Sequence, residues 1–274
     1  MNQNGKIVNN FDSIDPISVL SLNLRFGLAD DGPNSWQYRK NSYPFLLKSY
    51  CADFFGFQEV NNFQLDFLKK ILNEYNFIGE RQSAPSFWQN NIIFYHRKWE
   101  CVYQDHFYLS PTPTIPSRFR KSRWPRQCTI GVFKNIDSEL IIANTHFDFD
   151  TSVQTQSAAL IMQRLSEISS VIPTILMGDF NTTPHSPSYK IFTGQKNDHR
   201  NKGSEYFKNV FKKPFPGTFH GFKDDKTGDH IDWILYRGGL IPEKSKIIRG
   251  KIKGFYPSDH FPLFAVFKRK KEEK

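Results

Sequence analysis

The chain has 274 residues, with 37 Lys or Arg against 27 Asp or Glu and a formal net charge of +10. Its 38% hydrophobic and 16% aromatic content, with 27 Phe, excludes a disordered chain and predicts a packed core. No eighteen apolar residues run together, so no integral membrane segment is expected. We predict a single domain over residues 16–268, preceded by a polar lead-in at 1–15 and followed by a charged tail at 269–274.

The excess of positive charge favours a polyanionic or phosphorylated substrate, with nucleic acid possible, although solubility alone explains it equally well. Cys51, Cys101 and Cys128 form no CxxC pair and leave an odd thiol. Together with an N-terminus that lacks the apolar stretch of a secretory signal, this pattern predicts a reducing, cytoplasmic location. We interpret all three cysteines as buried small apolar residues. The sequence leaves the oligomeric state open.

The first predicted element is a strand at residues 18–24, where leucines share one face and Asn23 lies on the other. Further short apolar runs predict strands at residues 54–58, 92–95, 130–133, 140–145, 174–177, 231–236 and 263–267. Apolar stripes predict helices at residues 63–72 and 154–171, and Pro173 is expected to stop the second. Many strands with interspersed helices favour an α/β sandwich.

Acidic and amide groups follow two of these strands. Glu59 directly follows residues 54–58, where a carboxylate is either a turn residue or a ligand for a hard cation such as Mg²⁺. Asp179 and Asn181 follow residues 174–177; they either form an Asx turn or activate a water molecule and hold a phosphoryl oxygen. Because strand ends gather at one sheet edge, we expect these groups to converge on one metal and one phosphate.

Two histidines and one buried acid complete the candidate chemistry. His146 extends the face of the strand at residues 140–145 to the rim of a sheet, a position that a purely structural histidine also takes. Asp232 lies within an apolar strand and needs a partner, which an imidazole would supply. Such a pair keeps the histidine protonated, which suits a developing phosphorane charge. His260 stands in a rigid, charged turn between Asp259 and Pro262.

Taken together, six segments resemble the endonuclease/exonuclease/phosphatase superfamily of metal-dependent phosphodiesterases. They are residues 21–23 (SLN), 56–60 (GFQEV), 144–148 (NTHFD), 178–181 (GDFN), 230–233 (HIDW) and 258–262 (SDHFP). Each segment alone arises often by chance, but six in the family's order are specific. Residues 34–39 (NSWQYR) and Asn91 further resemble the small, mostly bacterial branch.

The resemblance implies an α/β fold of four layers, a sandwich of two mixed β-sheets packed face to face with helices outside. It implies Mg²⁺- or Mn²⁺-dependent hydrolysis of phosphodiester or phosphomonoester bonds. The implied metal ligands are Glu59, Asn23 and Asp259. The implied catalytic residues are His146, Asp179, Asn181, Asp232 and His260. The implied substrate-binding residues are Arg126, Asn91, Arg39 and Trp36.

Within this set, Asp179 would activate or orient the attacking water and Asn181 would position it or the phosphate. The two histidines would stabilise the phosphoryl oxygens, and Asp232 would orient His260. One departure is His230, which stands where many relatives carry Arg before the Ile-Asp pair. The chain also lacks the Trp-Cys-Asp-Arg signature of inositol polyphosphate phosphatases and the Tyr-containing segment of abasic-site endonucleases, which disfavours both subclasses.

A basic stretch surrounds Trp124, and its charges are Arg118, Arg120, Lys121, Arg123 and Arg126. Such a stretch either grips a phosphate backbone and stacks a base or forms an exposed, solvated loop. An alternative function is a phospholipase C-like sphingomyelinase that acts on phospholipid headgroups, for which the Phe-rich residues 207–222 are the candidate membrane contact. A third is a noncatalytic binding module, which the full set of acids and histidines disfavours.

Overall fold

The computed structural model describes residues 15–81, 87–194, 206–223 and 227–270. Most of the predicted lead-in, residues 1–14, and the last residues of the predicted tail, 271–274, lie outside the described residues.

Two mixed sheets of six strands each form the centre of the described part of the chain. In chain order the strands are β1 (Ile17–Asn23), β2 (Phe54–Val60), β3 (Tyr75–Ile78), β4 (Asn90–His96), β5 (Glu100–Tyr108), β6 (Gln127–Lys134), β7 (Glu139–His146), β8 (Thr174–Asp179), β9 (Lys208–Asn209), β10 (Asp232–Arg237), β11 (Leu240–Ile247) and β12 (Leu263–Arg269). The first sheet has the order β11-β12-β1-β2-β4-β3 and the second β5-β6-β7-β8-β10-β9. The pairs β1–β2 and β7–β8 are parallel and the other pairs are antiparallel.

The helices of the described residues are α1 (Trp36–Arg39), α2 (Tyr43–Ser49), α3 (Asn62–Ile71), α4 (Thr151–Ile168) and α5 (Pro187–Thr193). Helix α4 begins three residues before its predicted start because the Asp150 side chain caps it, accepting from the backbone of Ser152 and Val153. It ends at Ile168, so the prediction that Pro173 stops it is wrong. The Ser169 hydroxyl instead binds the amides of Val171 and Ile172, which turns the chain away earlier.

Apolar side chains separate these elements into layers. Between the sheets lie buried residues from both of them, among them Val19, Phe54, Phe133, Ile142 and Met177. A second cluster packs Leu46 of α2 and Leu65 of α3 on the outer face of the first sheet. A third packs Ile161 of α4 on the outer face of the second sheet. The order helix, sheet, sheet, helix confirms the predicted four-layer α/β sandwich.

All eight predicted strands are present within a few residues of their predicted bounds. The cysteine prediction is wrong for two positions, because Cys51 is exposed and Cys101 half-buried, and Cys128 alone is buried as expected. Both departures lie at margins of the fold: Cys51 follows the end of α2 and Cys101 lies in the edge strand β5. In the described part of the chain, the helices do not combine the length and apolar character needed to cross a bilayer.

Candidate active site

The candidate catalytic residues come from strand ends that meet at one edge of the sandwich. The last residues of β1, β7 and β8 are Asn23, His146 and Asp179. Asp232 is the first residue of β10, and because β10 runs antiparallel to β8 it pairs directly with Asp179. Glu59 lies near the end of β2. The two sheets therefore contribute from opposite sides to one site, as the sequence predicts.

The side-chain amide of Asn23 connects carboxylates that belong to different sheets. Its Nδ2 donates to Oε1 of Glu59 over 3.1 Å and to Oδ2 of Asp179 over 2.9 Å. Its Oδ1 accepts from the backbone amide of Arg25 at 2.8 Å, which fixes the orientation of the group. The two carboxylates thus face a common point between the sheets. The side-chain NH2 group of Asn23, with its partial positive charge, lies at that point.

The backbone of Glu59 is strained in a way that aims its carboxylate into the site. The β2–β4 pairing shifts register between Phe57 and Val60, and within this bulge Glu59 has a φ of 61°. A left-handed conformation is unfavourable for a residue with a side chain, and such strain concentrates at functional sites. The other carboxylate oxygen accepts from the amide of Phe26, so both oxygens of Glu59 have partners.

Residues 178–181 place Asp179 beside His146. A side chain at Gly178 would put its Cβ 2.0 Å from the carbonyl oxygen of Thr145, so only glycine permits the close approach of β7 and β8. Asn181, with a φ of 49°, donates its backbone amide to Oδ1 of Asp179 over 2.9 Å. Its Nδ2 lies 3.0 Å from Nε2 of His146. The Asx turn is present, and the catalytic role that the sequence offers as its alternative stays a prediction.

His260 forms a buried ion pair with Asp232. Nδ1 of His260 lies 2.9 Å from Oδ2 of Asp232, and its Nε2 lies 3.7 Å from Oδ2 of Asp179. Burial alone lowers the pKa of His260, but the charges of Asp232 and Asp179 outweigh it and hold that pKa well above its ordinary value. Burial raises the pKa of Asp179 to about 7, against the lowering effect of His260.

His146 also faces Asp179, with its Nε2 3.5 Å from Oδ2 of that residue, but it differs from His260 in having a cation beside its ring. Nη1 of Arg126 lies 3.0 Å from its Nδ1 and 3.1 Å from its Nε2. Burial first, and then the charges of Arg126 and His260, hold the pKa of His146 well below its ordinary value. The site therefore combines one neutral histidine with one charged histidine, a division that the sequence does not predict.

The structure divides the four predicted substrate-binding residues into two groups. Arg126 and Asn91 line a cleft beside Glu59 and His146. Arg39 is 0% exposed and donates to the carbonyl oxygens of Leu24, Arg25 and Pro257. Trp36 is buried as well and packs edge-on against Tyr43 and Phe67. Neither presents a surface to substrate, so we correct their assignment to positioning residues that hold the loop after β1.

The donor chemistry of the site fits a divalent cation. Among the described residues, Asp179, Asp232 and His260 offer ligand atoms within 4.8 Å of one another. Asp232 and His260 already satisfy each other, which leaves Glu59 and Asp179 as the carboxylates directed at a common point. Oxygen donors of this type suit Mg²⁺ or Mn²⁺. Asp259 is buried, accepts from the Ser258 hydroxyl at 3.0 Å and lies 3.7 Å from Nε of Arg25, so its metal role stays a prediction.

The cleft also contains residues that sequence reasoning missed. Its volume is about 360 Å³, and the missed lining residues are Arg25, Phe87, Trp88 and Phe149. No spacing pattern in the chain marks them.

His230, the residue that departs from the family's pattern, lies away from this cleft. It is buried, its Nδ1 is 2.7 Å from the carbonyl oxygen of Pro216 and its ring stacks on Phe215. His230 is therefore held by packing and by one backbone contact.

Comparisons with known proteins identify the family and agree with the fold. The model of the Endonuclease/Exonuclease/phosphatase family matches residues 20–260. The structure of an endonuclease/exonuclease/phosphatase family protein from Bacteroides thetaiotaomicron superposes with a TM-score of 0.82 at 26% identity, covering 94% of this chain and 100% of that one. A mannosyl-6-phosphatase from the same organism gives a TM-score of 0.79 at 26% identity, covering 92% and 99%.

A curated relative from Saccharomyces cerevisiae, "Probable RNA exonuclease NGL3", is 25% identical over 208 residues, which are 66% of this chain and 40% of the yeast protein. The chain spans about two fifths of the length of the curated relatives that it matches.

Proposed function

Because this chain belongs to the endonuclease/exonuclease/phosphatase family, whose model matches residues 20–260, we propose that it is an Mg²⁺- or Mn²⁺-dependent hydrolase of phosphodiester or phosphomonoester bonds. We propose a nucleic acid or a nucleotide as its substrate. The observation that carries the proposal is the meeting of Glu59 and Asp179, from different sheets, opposite the charged pair of His260 and Asp232.

The residues divide the chemistry among themselves. Glu59 is the principal candidate to hold the divalent cation, with Asp259 as a further predicted ligand, and the bound cation would neutralise charge on the phosphoryl group. Asn23 would join them only after its amide turns, because its Nδ2 and not its Oδ1 faces the carboxylates. Asp179, whose pKa burial raises to about 7, accepts a proton from the attacking water near neutral pH. Asn181 fixes the orientation of the Asp179 carboxylate through its backbone amide.

The two histidines act on the phosphoryl oxygens in different protonation states. His260 is held charged by Asp232 and stabilises the negative charge that develops during attack. His146 is held neutral beside Arg126 and therefore donates one hydrogen bond without adding charge. Arg126 supplies a positive charge from the cleft side, and such charge-assisted contacts to phosphate are among the stronger ones.

A nucleic acid or nucleotide fits this site better than a phospholipid. Arg25 and Arg126 line the cleft together with Trp124, and the chain carries a net charge of +10. In the segment 207–222, the candidate membrane contact of a sphingomyelinase, Phe207 and Phe211 are buried and Phe219 packs against the His260 ring. Phe207 and Phe211 are therefore unavailable to a membrane, which weakens that alternative, although Phe219 is 39% exposed. The cytoplasmic location stays a prediction.

Purified protein tests the proposal directly. Hydrolysis of bis(p-nitrophenyl) phosphate, p-nitrophenyl phosphate, a single-stranded oligonucleotide and sphingomyelin vesicles is measured with Mg²⁺, with Mn²⁺ and after chelation. We expect cleavage of a phosphoester that disappears on chelation, returns with the metal and is lost in Asp179→Asn. Activity that is unchanged by chelation, or confined to sphingomyelin, would contradict the proposal.

A further inference from the structure

The cleft of about 360 Å³ opens directly onto the candidate active site, since Glu59 and His146 form part of its wall. Five of the other eleven residues in the wall are aromatic, namely Phe26, Phe87, Trp88, Trp124 and Phe149. They come from four separate stretches of chain, which lie after β1, before β4, before β6 and after β7. The fold thus gathers rings at the point where a substrate group attached to the phosphate must lie.

Three of these rings are exposed to an unusual degree, whereas Phe26 and Trp88 are half-buried. Phe87 is 56% exposed, Trp124 56% and Phe149 61%. Large aromatic side chains are normally covered, and a contiguous group of exposed ones marks a contact surface. All three rings border one cleft beside the candidate active site. A ligand bound in that cleft would therefore cover them.

Neighbouring groups hold the rings in place. The Arg81 guanidinium lies 4.1 Å from the centroid of Trp88, and Nη1 of Arg81 donates to the Tyr108 hydroxyl over 2.7 Å. The loop that carries Trp124 is tied down by Asp148, whose Oδ2 accepts from the Ser122 hydroxyl and the Arg123 amide at 2.9 and 2.8 Å. A ring surface fixed in advance binds a flat ligand with little loss of entropy.

We propose that this cleft binds one unpaired nucleobase of the substrate by stacking on Trp124 and Trp88, with the attached phosphate at Glu59 and His146. The inference rests on the proposed function and narrows it to nucleotides and single-stranded nucleic acids. Base stacking on aromatic side chains is favourable for every base, so the preference is for an unpaired base and not for a sequence. A base inside a duplex has both faces covered by its neighbours and cannot enter.

The size and charge of the cleft further restrict the class of ligand that it can bind. A volume of about 360 Å³ lies near the lower end of ligand pockets, about 300–1,000 Å³, which suits one nucleotide rather than several. Arg25 and Arg126 line the same cleft and favour the phosphate end of such a ligand. A phosphorylated sugar has the phosphate of a nucleotide but no aromatic ring. It therefore serves as the control ligand for the nucleotide.

The experiment measures binding, so that it is independent of turnover. In the Asp179→Asn background, calorimetry compares adenosine 5′-monophosphate with ribose 5-phosphate in the parent and in added Trp124→Ala, Trp88→Ala and Phe45→Ala changes. Phe45 is 47% exposed but lies outside the cleft lining, so it is the control. We expect adenosine 5′-monophosphate to bind at least tenfold more tightly than ribose 5-phosphate. Each Trp variant should lose about 5- to 100-fold in affinity for the nucleotide, the range of a single stacking contact.

In the two Trp variants, the affinity for ribose 5-phosphate should stay within about twofold of the parent's. The Phe45→Ala variant should match the parent in its affinity for both ligands. Equal affinity for the two ligands, or nucleotide binding that survives both Trp changes, would overturn the inference while hydrolysis of bis(p-nitrophenyl) phosphate still supports the proposed function. A second arm compares cleavage of one oligonucleotide alone and annealed to its complement. Equal rates on both would also overturn it.

Discussion

Gln58 and Asn144 join the two sheets directly behind the candidate site, where Nε2 of Gln58 donates to Oδ1 of Asn144 over 2.7 Å. Gln58 precedes Glu59 in β2, and Asn144 lies two residues before His146 in β7. Nδ2 of Asn144 donates to the carbonyl oxygens of Phe57 and Ile92 at 2.9 Å each. This buried polar contact fixes how one half of the site sits against the other.

Asn144→Leu should lower the free energy of unfolding by about 2–6 kcal/mol, because two buried carbonyl oxygens lose their donor at about 1–3 kcal/mol each. Urea unfolding at neutral pH measures the change. Asn73→Leu, at an exposed turn, is the matched control and should stay within about 0.5 kcal/mol of the wild type. A loss below about 1 kcal/mol in Asn144→Leu would show that the contact does not hold the sheets.

Glu59→Gln should remove nearly all metal-dependent hydrolysis while leaving the fold intact, because the amide keeps the shape of the carboxylate but loses its charge. Turnover with Mg²⁺ and Mn²⁺ and calorimetric titration of each cation measure the effect. The exposed Glu74→Gln variant is the control and should behave as the wild type. Retention of wild-type turnover and cation affinity in Glu59→Gln would refute its role as a ligand.

His260→Ala should reduce kcat by about 10²- to 10⁴-fold, the usual loss when a catalytic acid or an oxyanion donor is removed. Asp232→Asn acts through His260. The reduction in kcat that it causes and the reduction caused by His260→Ala should therefore not be additive in the double variant. Steady-state kinetics of the four proteins provide the test. A change confined to KM, or losses that add in full, would contradict the pairing.

Arg126→Gln should lower kcat/KM by about 10- to 100-fold, because a hydrogen bond from a charged group to a phosphoryl oxygen contributes about 1.5–3 kcal/mol. Arg126→Lys keeps the charge but loses the planar group that lies against both nitrogens of His146, and it should recover only part of the rate. Kinetics on bis(p-nitrophenyl) phosphate distinguish the two variants. Full activity in Arg126→Gln would show that the residue only fills space.

His106 lies outside the candidate active site and makes the free energy of unfolding depend on pH. Burial, and then the charge of Arg81, lower its folded-state pKa to about 4 from an ordinary value of 6.5. Between these values the unfolded chain binds more protons than the folded one, so stability falls as pH drops from about 6.5 towards 4.

His106→Gln should therefore lose less stability than the wild type between pH 7 and pH 5, as measured by urea unfolding at each pH. The exposed His185→Gln variant is the control and should follow the wild-type curve. Identical pH dependence in His106→Gln and the wild type would show that another group is responsible.

The central strands could be predicted from sequence because both of their faces are buried, as in β8, whose residues are all buried. The edge strands β5 and β11 were missed since most of their side chains face solvent and carry no apolar alternation. Helices α1, α2 and α5 span 4, 7 and 7 residues, too few for a stripe to show. Local pattern therefore predicts the interior of this fold and fails at its margins.

The meeting of the candidate catalytic residues could be expected from the sequence because most of them lie in short segments at strand ends. The roles of Arg39 and Trp36 could not, since a segment shared with a family shows that a residue matters but not whether it is buried. The aromatic cleft was missed for a different reason. Trp88 and Phe149 are far apart in the chain, and only the packing of the sheets brings them to one cavity.

The pairing of β12 with β1 has a consequence for folding. The final strand of the described fold lies against the first, and His260 comes just before that final strand. Docking of β12 therefore covers an edge of β1 and delivers the imidazole of His260 to Asp232 in the same event. Completion of the first sheet and completion of the His260–Asp232 pair are thus one step.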